Sequence, residues 1–429
     1  MNISAVILLL TSFFTLMILK IPIAFSLGIS SVATAYYLGI PVAMMAQALV
    51  RGINSFSLLS IPFFILAGEI MGQGGISTQL IKFADVLVGR VRGGLAMVNV
   101  LDSTFFGGIS GSAVADISSL GSIMIPMMRE KGYDNDYSVA ITVATSAQAV
   151  LIPPSHNMII YSLAAGGVSV GKLFLGGLVP GLTLSLALLI YTYIVAVKRD
   201  YPAENPVPFK EALIIIKDAF LGVVTALIIL VGVTTGIFTA TESAAIAVVY
   251  AFIITFFVYK VPIKVFKNVL VDSLNTLAVV IALIASSNAF GWMLAYLKVP
   301  ALATEFLLSL SSNKYVILLI LNVLLLLLGM IMDMAPLILI VTPILLPVVT
   351  AVGVNPIHFG VIMMLNLAIG LMTPPVGSAL FVGCAIGDIR VEELTKALIP
   401  FYVVMIVVLL LVTYIPAITM FLPNLLMGN

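Results

Sequence analysis

The sequence predicts an all-α protein that crosses a membrane many times and is built from two inverted repeats. Three observations support this fold class. The chain is strongly apolar, a pattern of glycines and prolines recurs at a fixed distance, and the basic residues cluster on one side of the predicted spans. Each repeat is expected to contain a re-entrant helical hairpin followed by a discontinuous helix.

Composition excludes several classes of protein. Of the 429 residues, 62% are hydrophobic and 9% are charged, and the mean hydropathy is +1.25. Such a chain is not a soluble domain, because almost every segment exceeds the length needed to cross a bilayer. The net charge of +1, without a basic run interleaved with aromatic residues, argues against nucleic acid as a partner. The single cysteine, Cys384, excludes an intrachain disulfide and a cysteine metal cluster.

Apolar segments predict the spans in order. The N-terminal stretch has no basic n-region and no small-residue cleavage site, so we expect a retained span rather than a signal peptide. The uninterrupted spans are predicted at residues 2–19, 21–39, 56–72, 173–196, 218–236, 238–258, 270–297 and 396–422, and the interrupted units at 93–128, 134–168, 316–350 and 357–387. Two amphipathic segments, Gly75–Gly94 and Val299–Lys314, have the spacing of helices that lie in the membrane interface.

The interrupted units repeat at an offset of 221 positions. Residues that control the backbone match across this offset: Gly108 with Gly329, Pro126 with Pro347, Gly132 with Gly353, Pro153–Pro154 with Pro374–Pro375, and Gly166 with Gly387. Proline removes an amide donor and glycine relaxes the restriction on φ, so these residue types mark breaks in regular backbone. The duplicated pattern predicts two copies of one interrupted structure.

Segment length distinguishes hairpins from spans. Leu95–Phe106 would form about 18 Å of helix, which is too short for a hydrocarbon layer of about 30 Å. The glycines and serines that follow predict a re-entrant hairpin with its tip at Gly107–Ser112. The second hairpin is predicted to break at Asp333–Pro336. The paired prolines are expected to interrupt the span that follows each hairpin.

The distribution of positive charge predicts the orientation. With the N-terminus outside, fifteen of the nineteen lysines and arginines fall on cytoplasmic segments, and only Arg51, Lys172, Lys298 and Lys314 lie outside. The base of the first hairpin is then cytoplasmic, and the nearly uncharged base of the second hairpin is external. The two halves are therefore expected to be inverted relative to each other, as in secondary transporters.

The breaks are the candidate binding sites, since backbone that leaves helical geometry inside a membrane must line a cavity or be buried in protein. Freed carbonyls and hydroxyls suit a monovalent cation, and half-helix N-termini suit a carboxylate. We predict sodium ligands at Ser110, Ser112, Thr145, Val150 and Pro153 in the first repeat and at Asp333, Thr342, Thr373 and Gly377 in the second. Substrate contacts are predicted at Gly111, Ser155, His156, Asn157, Pro336 and Ser378. The alternative is that these hydroxyls only bond to carbonyls of their own helices.

Charged residues inside predicted spans are further candidates. Asp116 and Asp333 lie in or beside the hairpin tips, where an acid is costly unless it is paired or binds a cation, although either could be a helix cap. Asp102 and Glu69 are interpreted as snorkelling or capping residues. His156 could contact substrate, gate protons or be structural.

Two further residues have simpler interpretations. Glu242 is expected to cap the helix that follows it. His358 lies near a predicted loop and carries no functional signal.

Motifs of known enzymes are missing from the sequence. It contains no H-E-x-x-H, G-x-S-x-G or Walker A motif and no cysteine–histidine cluster, so we expect neither an enzyme nor an organic cofactor. Without a nucleotide site, transport would be driven by an ion gradient.

The chain resembles the large membrane subunit of tripartite ATP-independent periplasmic (TRAP) transporters over nearly its whole length. The resemblance rests on SIPFFILAGEIM (Ser60–Met71), FFGGISGSAVADISSLGSIMIPMMREKGYD (Phe105–Asp134), LIPPSHNMIIY (Leu151–Tyr161), GIFTATESAAIAVVYA (Gly236–Ala251) and MDMAPLILIVTPILLP (Met332–Pro347). The tips and breaks differ from the Ser-Asn-Thr and PPN patterns of the wider ion-transporter superfamily, and PPSHN differs from PPVGS. We therefore expect two unequal sites.

The resemblance implies a sodium-coupled elevator mechanism with about two or more sodium ions. It also implies a separate small four-helix membrane subunit and a periplasmic binding protein that delivers an organic acid. Sialic acid is favoured as substrate, and C4-dicarboxylate is the main competitor. The implied location is the bacterial inner membrane, with both termini periplasmic.

The expected division follows the repeats. Residues 1–92 would form scaffold helices and an interfacial arm, 93–168 the first transport repeat, 169–315 scaffold helices and a second arm, 316–390 the second transport repeat, and 391–429 the C-terminal helix. Alternatives are a proton-coupled or binding-protein-independent organic anion transporter and, less favoured, an ion channel.

Overall fold

A computed structural model describes residues 2–203 and 207–428, except for the side chains of residues 56 and 57, and all regular structure in these residues is helical. Six described helices are individually long and apolar enough to cross a membrane. A seventh span results if the pair Asn135–Leu151 and His156–Ala164, which is bent by 50°, counts as one. The all-helical fold class predicted from the sequence is therefore confirmed.

Among the described residues, the first half of the chain contains eleven α-helices. They are α1 (Ile3–Ile18), α2 (Ile23–Tyr37), α3 (Val42–Ile53), α4 (Ser60–Gln73), α5 (Ile76–Val88), α6 (Gly94–Ser110), α7 (Ala113–Glu130), α8 (Asn135–Thr145), α9 (Gln148–Leu151), α10 (His156–Ala164) and α11 (Val170–Lys198). A short 3-10 helix, Phe56–Leu59, precedes α4.

The second half contains ten more. They are α12 (Phe209–Thr234), α13 (Ala240–Ile253), α14 (Lys264–Tyr296), α15 (Val299–Leu310), α16 (Lys314–Gly329), α17 (Met334–Ala351), α18 (Pro356–Leu371), α19 (Ser378–Gly387), α20 (Val391–Tyr414) and α21 (Pro416–Met427). A π-helical turn, Ile254–Val258, follows α13.

Helix boundaries follow the 221-residue repeat. Helices α7 and α17 are both 18 residues long and begin 221 positions apart, at Ala113 and Met334. The pairs α5 with α15, α10 with α19, and α11 with α20 begin within two residues of the same offset. The amphipathic segments are helical in both halves, as α5 and α15. The duplicated hairpin and interrupted helix are thus present in the fold.

The tip of the first hairpin lies later than the sequence suggested. The expected break at Gly107 is wrong, because α6 continues to Ser110 and only Gly111 and Ser112 leave the helix. A Cβ atom at Gly107 would lie 2.6 Å from Ala149 Cα, so glycine here permits close packing of two helices and does not break one.

The second tip lies earlier than predicted. Helix α16 ends at Gly329, the non-helical residues are Met330–Asp333, and Pro336 is already in the first turn of α17. Proline is tolerated at this position because the first amides of a helix have no intrahelical acceptor. The predicted break at Asp333–Pro336 is therefore wrong in its second half.

The paired prolines interrupt both following helices, as predicted. The first break separates α9, which ends at Leu151, from α10, and the second separates α18, which ends at Leu371, from α19. Pro153–Pro154 and Pro374–Pro375 are both joined by a cis peptide bond.

The two repeats pack reciprocally. Helix α10 of the first repeat packs on α17 of the second hairpin, and α19 of the second repeat packs on α7 of the first. At one end, Arg129 Nη2 and Asn135 Nδ2 donate to the Gly387 carbonyl at 2.8 and 3.0 Å. At the other, Tyr161 Oη donates to the Pro356 carbonyl at 2.6 Å. Each half-helix is thus fastened to the base of the opposite hairpin.

Several spans differ from their expected limits. Helix α3 was not predicted, α12 and α14 begin several residues early, and the last span is two helices that meet at Ile415. Proline at residue 416 explains this division, since it lacks the amide needed to continue α20. The expected cap at Glu242 is confirmed as a capping box with Thr239.

His358 lies near a loop, as predicted, since it is the third residue of α18, but it makes a packing contact that the sequence did not indicate. It is buried in α18, and its Nε2 lies 3.2 Å from the Thr413 carbonyl. It therefore joins α18 to α20.

Candidate functional site

The tip of the first hairpin rests directly on the first break. Gly111 has a φ of +60°, and a Cβ atom there would lie 3.0 Å from the Pro154 carbonyl oxygen and 3.1 Å from Ser155 Cα. A Cβ atom at Gly108 would lie 3.1 Å from the Pro153 carbonyl oxygen. Any larger residue would separate the two backbones, so the contact depends on glycine.

The serines of this tip bond locally. Ser110 Oγ accepts from the Ser112 amide at 3.5 Å, and Ser112 Oγ caps α7 by accepting from the Ala115 amide at 3.4 Å. Both side chains are half-buried. Gly111, the residue between them, contacts the break, so both hydroxyls belong to the tip at which the sequence predicts two sodium ligands, and their remaining lone pairs are available to a cation.

The first break is buried, and it gathers the predicted substrate residues of this repeat. Residues 151–155 are buried, and within the described part of the chain Ser155 Oγ has no hydrogen-bond partner. His156, which is half-buried, and Asn157, which is buried, form the first turn of α10. His156 N would lie 3.2 Å from a Cβ at Gly111, so these groups all adjoin the first tip.

Thr145 lies deeper, in a polar network that the sequence did not predict. The Ser103 hydroxyl is 2.8 Å from Asp116 Oδ2 and 3.0 Å from Thr145 Oγ1. Thr145 Oγ1 is also 3.4 Å from Asn99 Oδ1, and Asn99 Nδ2 donates to Thr142 Oγ1 at 2.7 Å. The network joins α6, α7 and α8, and it takes Thr145 away from the tip. Val150, which is buried in α9, lies nearer the break.

Two buried carboxylates belong to this region. Asp102 and Asp116 are both fully buried, and among the described residues neither oxygen of Asp102 nor Oδ1 of Asp116 has a hydrogen-bond partner. Asp102 therefore neither snorkels nor caps, contrary to its first interpretation. Buried carboxylates without a paired cation are costly in a membrane, so this part of the first hairpin is suited to a positive charge.

Glu69, interpreted in the same way as Asp102, is half-buried and close to a second acid. Gln73 Nε2 lies 3.2 Å from Glu69 Oε2 and 2.9 Å from Asp272 Oδ2. One amide thus bridges two carboxylates, one on α4 and one on α14.

The second tip also contacts its own break, but through hydrogen bonds. The Met330 carbonyl accepts from the amides of Val376 at 3.1 Å and Gly377 at 3.4 Å. Gly377 has a φ of +27°, and a Cβ there would lie 2.8 Å from the Thr373 carbonyl oxygen and 2.9 Å from that of Leu371. Carbonyl oxygens thus converge at Gly377, an arrangement that suits a hard monovalent cation.

The predicted residues of the second repeat divide into two groups. Asp333 caps α17 by accepting from the Met334 amide at 2.8 Å, and Thr373 Oγ1 donates to the Ile369 carbonyl at 2.7 Å. Ser378 begins α19, where its Oγ has no hydrogen-bond partner within the described ranges. Thr342 is about 12 Å along α17 from the tip and contacts Met363 Sδ at 3.5 Å, so the structure separates it from this site.

The missed residues share one signal. Asn99, Ser103 and Thr142 are polar side chains within apolar helices, and Gln148 with Thr104 and Ser185 forms a second buried group nearby. Polar residues at one-turn spacing in α6, at positions 99, 103 and 104, could have indicated a polar face turned toward protein rather than lipid.

The chain matches one known family over nearly its whole length. Residues 10–418 match the family described as the tripartite ATP-independent periplasmic transporter, DctM component. The chain is 38% identical over 384 residues to the sialic acid TRAP transporter large permease protein SiaM of Vibrio cholerae, covering 89% of this chain and 90% of that protein. It is 38% identical over 447 residues to the C4-dicarboxylate large permease protein DctM of the same organism, covering 99% and 98%.

A third relative is named for a different anion. The isethionate TRAP transporter permease protein DctMQ of Oleidesulfovibrio alaskensis is 40% identical over 411 residues, which cover 94% of this chain and 64% of that longer protein. Among solved structures, the YdaH transporter of Alcanivorax borkumensis has a TM-score of 0.61 at 14% identity, covering 87% of this chain and 88% of that one. That likeness shows a shared transporter fold.

Proposed function

The chain belongs to the DctM family of TRAP transporter large permeases, a multi-pass membrane family of transporters and not of enzymes, and on this premise we propose that it moves an organic acid into the cell together with sodium ions. The observation that carries the proposal is the contact of each hairpin tip with its own break. Gly111 lies against Pro154 and Ser155, and Met330 accepts from Val376 and Gly377. Irregular backbone of this kind can bind a cation and an anion together.

Sodium coupling is supported by the types of oxygen at the two breaks. The carbonyls of Leu371 and Thr373 beside Gly377, and the hydroxyls of Ser110 and Ser112 on either side of Gly111, are neutral oxygens of the kind that replace the hydration shell of a monovalent ion. We propose one sodium ion at each break. Thr145 and Thr342 are the weakest candidates as ligands, because both point into other contacts.

An anionic substrate is supported by the N-termini of α10 and α19. Ser155 and Ser378 stand at these helix starts, and the amides of a first helical turn attract a negative group. The named relatives carry sialic acid, C4-dicarboxylate and isethionate, which are all acids. We favour sialic acid, then a C4-dicarboxylate, for this chain.

An elevator motion is supported by the reciprocal packing of the repeats. Helices α10 and α19 each pack on the hairpin of the other repeat, and Arg129 and Tyr161 fasten the two ends. A block joined in this way would move as a unit against the remaining helices. We propose that a small four-helix subunit anchors those helices and that a periplasmic binding protein delivers the substrate.

The orientation is proposed from the basic residues. Arg90, Arg92 and Arg129 adjoin the base of the first hairpin, whereas residues 352–355 at the base of the second carry no charge. The positive-inside rule then puts the first base in the cytoplasm of a bacterial cell and both termini in the periplasm.

Uptake by proteoliposomes tests the proposal. The chain would be reconstituted with its small subunit, and labelled sialic acid or C4-dicarboxylate uptake measured with the binding protein and the sodium gradient omitted in turn. We expect uptake to fall to background in each omission. Full uptake without a sodium gradient would contradict sodium coupling, and full uptake without binding protein would contradict the tripartite arrangement.

A proton-coupled transporter is the second candidate, and the buried acids Asp102 and Asp116 favour it. Protonation is one way to remove the cost of burying these two carboxylates. In the same proteoliposomes, a proton-coupled carrier would respond to an imposed pH gradient and be indifferent to sodium. An Asp102→Asn variant with altered pH dependence and unchanged sodium dependence would support this candidate.

A further inference from the structure

An open cavity lies apart from both breaks, where the start of α8, the end of α11 and the start of α20 meet. Its volume is about 480 Å³. We call it the interface cavity, because Arg199, which lines it, follows the cytoplasmic end of α11 in the proposed orientation. Its lining includes Asp136, Tyr191, Arg199, Glu393, Lys396 and Phe401.

The rim of the interface cavity carries both signs of charge. Arg199 Nη1 is 2.7 Å from Asp134 Oδ2, and its guanidinium lies 5.4 Å from the centre of the Tyr137 ring. Lys396 supplies a second cation, while Asp136 on α8 and Glu393 on α20 supply carboxylates. Glu393 also accepts from Arg390.

Below the rim the cavity becomes apolar. Its floor is formed by Tyr191, Pro400 and Phe401, and the rings of Tyr191 and Phe401 meet edge to face at 4.9 Å. Ile194 of α11 and Val403 of α20, on the two helices that form the walls, are exposed. The cavity therefore changes from charged to apolar along the direction that leads from the membrane surface into the bilayer.

The internal repeat shows what a filled version of this cavity looks like. A shift of 221 positions relates Asp136 to Ile357 and Ala397 to Gly176. On that side a Cβ at Gly176 would lie 3.3 Å from Ile357 Cγ2 and 3.4 Å from Thr419 Cγ2, so α21 occupies the groove. Helix α21 packs along α11 there, and Lys172 Nζ donates to the Gly428 carbonyl at 2.9 Å.

The described residues do not fill the interface cavity in the way that α21 fills the corresponding groove. After α11, Tyr201 packs against Tyr133 and Tyr137 at ring distances of 4.4 and 5.3 Å, and within the described residues no helix comparable to α21 enters the groove. The same groove is thus closed by protein on one membrane face and open on the other.

We infer that the interface cavity binds a zwitterionic phospholipid with a primary ammonium headgroup. The phosphate would lie at Lys396 and Arg199, the ammonium at Asp136 and Glu393, and an acyl chain along α11 and α20. Mixed charge distinguishes this cavity from the purely basic pockets that select anionic lipids. The inference concerns lipid only and stands apart from the proposed transport.

Lipid retention measured by native mass spectrometry tests the inference. The full chain with its small subunit would be exchanged into an equimolar mixture of phosphatidylethanolamine, phosphatidylcholine and phosphatidylglycerol with identical acyl chains. We expect retention of phosphatidylethanolamine about fivefold above the other two, because its ammonium makes charge-assisted hydrogen bonds to the carboxylates, whereas the trimethylammonium of phosphatidylcholine has no N–H donor and the hydroxyl donors of phosphatidylglycerol carry no positive charge.

Two variants and a control locate the lipid. Lys396→Gln removes a phosphate partner, and Ala397→Leu fills the cavity without changing charge. Each should lower phosphatidylethanolamine retention about fivefold. The control is Lys264→Gln, at the exposed start of α14 and outside the cavity, which should leave retention unchanged.

Thermal unfolding checks that each variant is folded. Equal retention of the three lipids, preferential retention of phosphatidylglycerol, or an equal loss in Lys264→Gln would overturn the inference. Unchanged retention in both cavity variants would do the same.

Discussion

The two tips have the same position in their repeats but differ in exposure. The first tip and its break are closed, since Gly111 and residues 151–155 are buried. The second tip and its break are open, since Asp333 and Pro375 are exposed and Val376 is 47% exposed. The two copies of the repeat therefore share their backbone geometry but differ in how far they are exposed at the protein surface.

The interiors of the two hairpins differ even more. The buried polar residues of the first, Asn99, Asp102, Ser103, Asp116 and Thr145, correspond after the 221-residue shift to Ile320, Val323, Leu324, Leu337 and Asn366. The second repeat keeps a buried polar residue at only the last of these positions, where Asn366 Nδ2 donates to Asn322 Oδ1 at 2.9 Å and Asn322 Nδ2 donates to Thr413 Oγ1 at 3.0 Å. Backbone geometry is duplicated here, whereas electrostatics is not, so two equal ion sites are not expected.

The largest effect on stability is expected at glycines where two helix backbones lie too close together to admit a side chain. A Cβ at Gly107 would lie 2.6 Å from Ala149 Cα, and one at Gly370 would lie 2.7 Å from Gly329 Cα. We expect Gly107→Ala and Gly370→Ala each to lower the free energy of unfolding by about 2–3 kcal/mol, because backbone must move to admit the methyl group. Chemical denaturation in detergent measures the change.

A glycine in open space provides the control for this pair. No atom would lie within 4 Å of a Cβ at Gly291 in α14 among the described residues. Gly291→Ala should therefore be neutral or stabilise by up to about 1 kcal/mol through helix propensity. If Gly107→Ala and Gly370→Ala were both as stable as Gly291→Ala, the close approach of the two backbones would be wrong for both repeats.

The next largest effect is expected at the buried acids of the first repeat, Asp102 and Asp116, whose equivalents in the second repeat are apolar. We expect Asp116→Asn to lower sodium-dependent uptake about tenfold while leaving thermal stability equal or higher, because the substitution removes a costly buried charge that transport would use. Uptake in proteoliposomes and thermal unfolding of the same preparation measure the two quantities. Asp200→Asn, on an exposed residue paired with Arg92 at 2.6 Å, is the matched control. Equal uptake by both variants would remove Asp116 from the mechanism.

The architecture could be predicted from the sequence because the breaks between helices depend on residues that act strongly on their own local backbone. Paired prolines at 153–154 and 374–375 break any helix, so the interrupted helices were found in the right places. Glycine is ambiguous, since it serves breaks and close packing alike, and Gly107 was misread for that reason. The burial of a charged residue such as Asp102 depends on the helices packed around it, so the sequence alone did not predict it.

The candidate site was predictable only in part. Gly111 of the first tip and Ser155 of the first break do contact each other. Thr145 and Thr342 were chosen for residue type, and the helical rise carries them away from the tips. The polar network at Asn99 and Ser103 arises from contacts among three helices, and no single segment encodes it.

A smaller effect is expected at the open second tip. Asp333 caps α17 through the Met334 amide, and an asparagine keeps such a cap while losing the charge. We expect Asp333→Asn and Asp333→Ala both to raise the sodium concentration for half-maximal uptake about threefold, since both weaken attraction for a cation. Thr373→Ala should have a lesser effect, because its hydroxyl is bonded to Ile369. If Asp333→Asn kept the wild-type sodium dependence and only Asp333→Ala required more sodium, Asp333 would act as a helix cap and not as a sodium ligand.

The smallest effect is a pH-dependent contribution to stability, which is expected at the base of the first hairpin and not at the base of the second. At the first base, hydrogen bonds from Tyr201 and Arg199 hold the pKa of Asp134 below its ordinary value of 3.8, whereas residues 352–355 at the second base have no ionisable side chain. A lowered pKa stabilises the fold above the ordinary value, and this contribution is lost as pH falls through the folded value. Because Asp134 is exposed, we expect only a few tenths of a kcal/mol. Wild type should therefore melt slightly above Asp134→Asn at pH 6 and lose that advantage toward pH 3, whereas a constant difference would show that the carboxylate charge contributes nothing at this base.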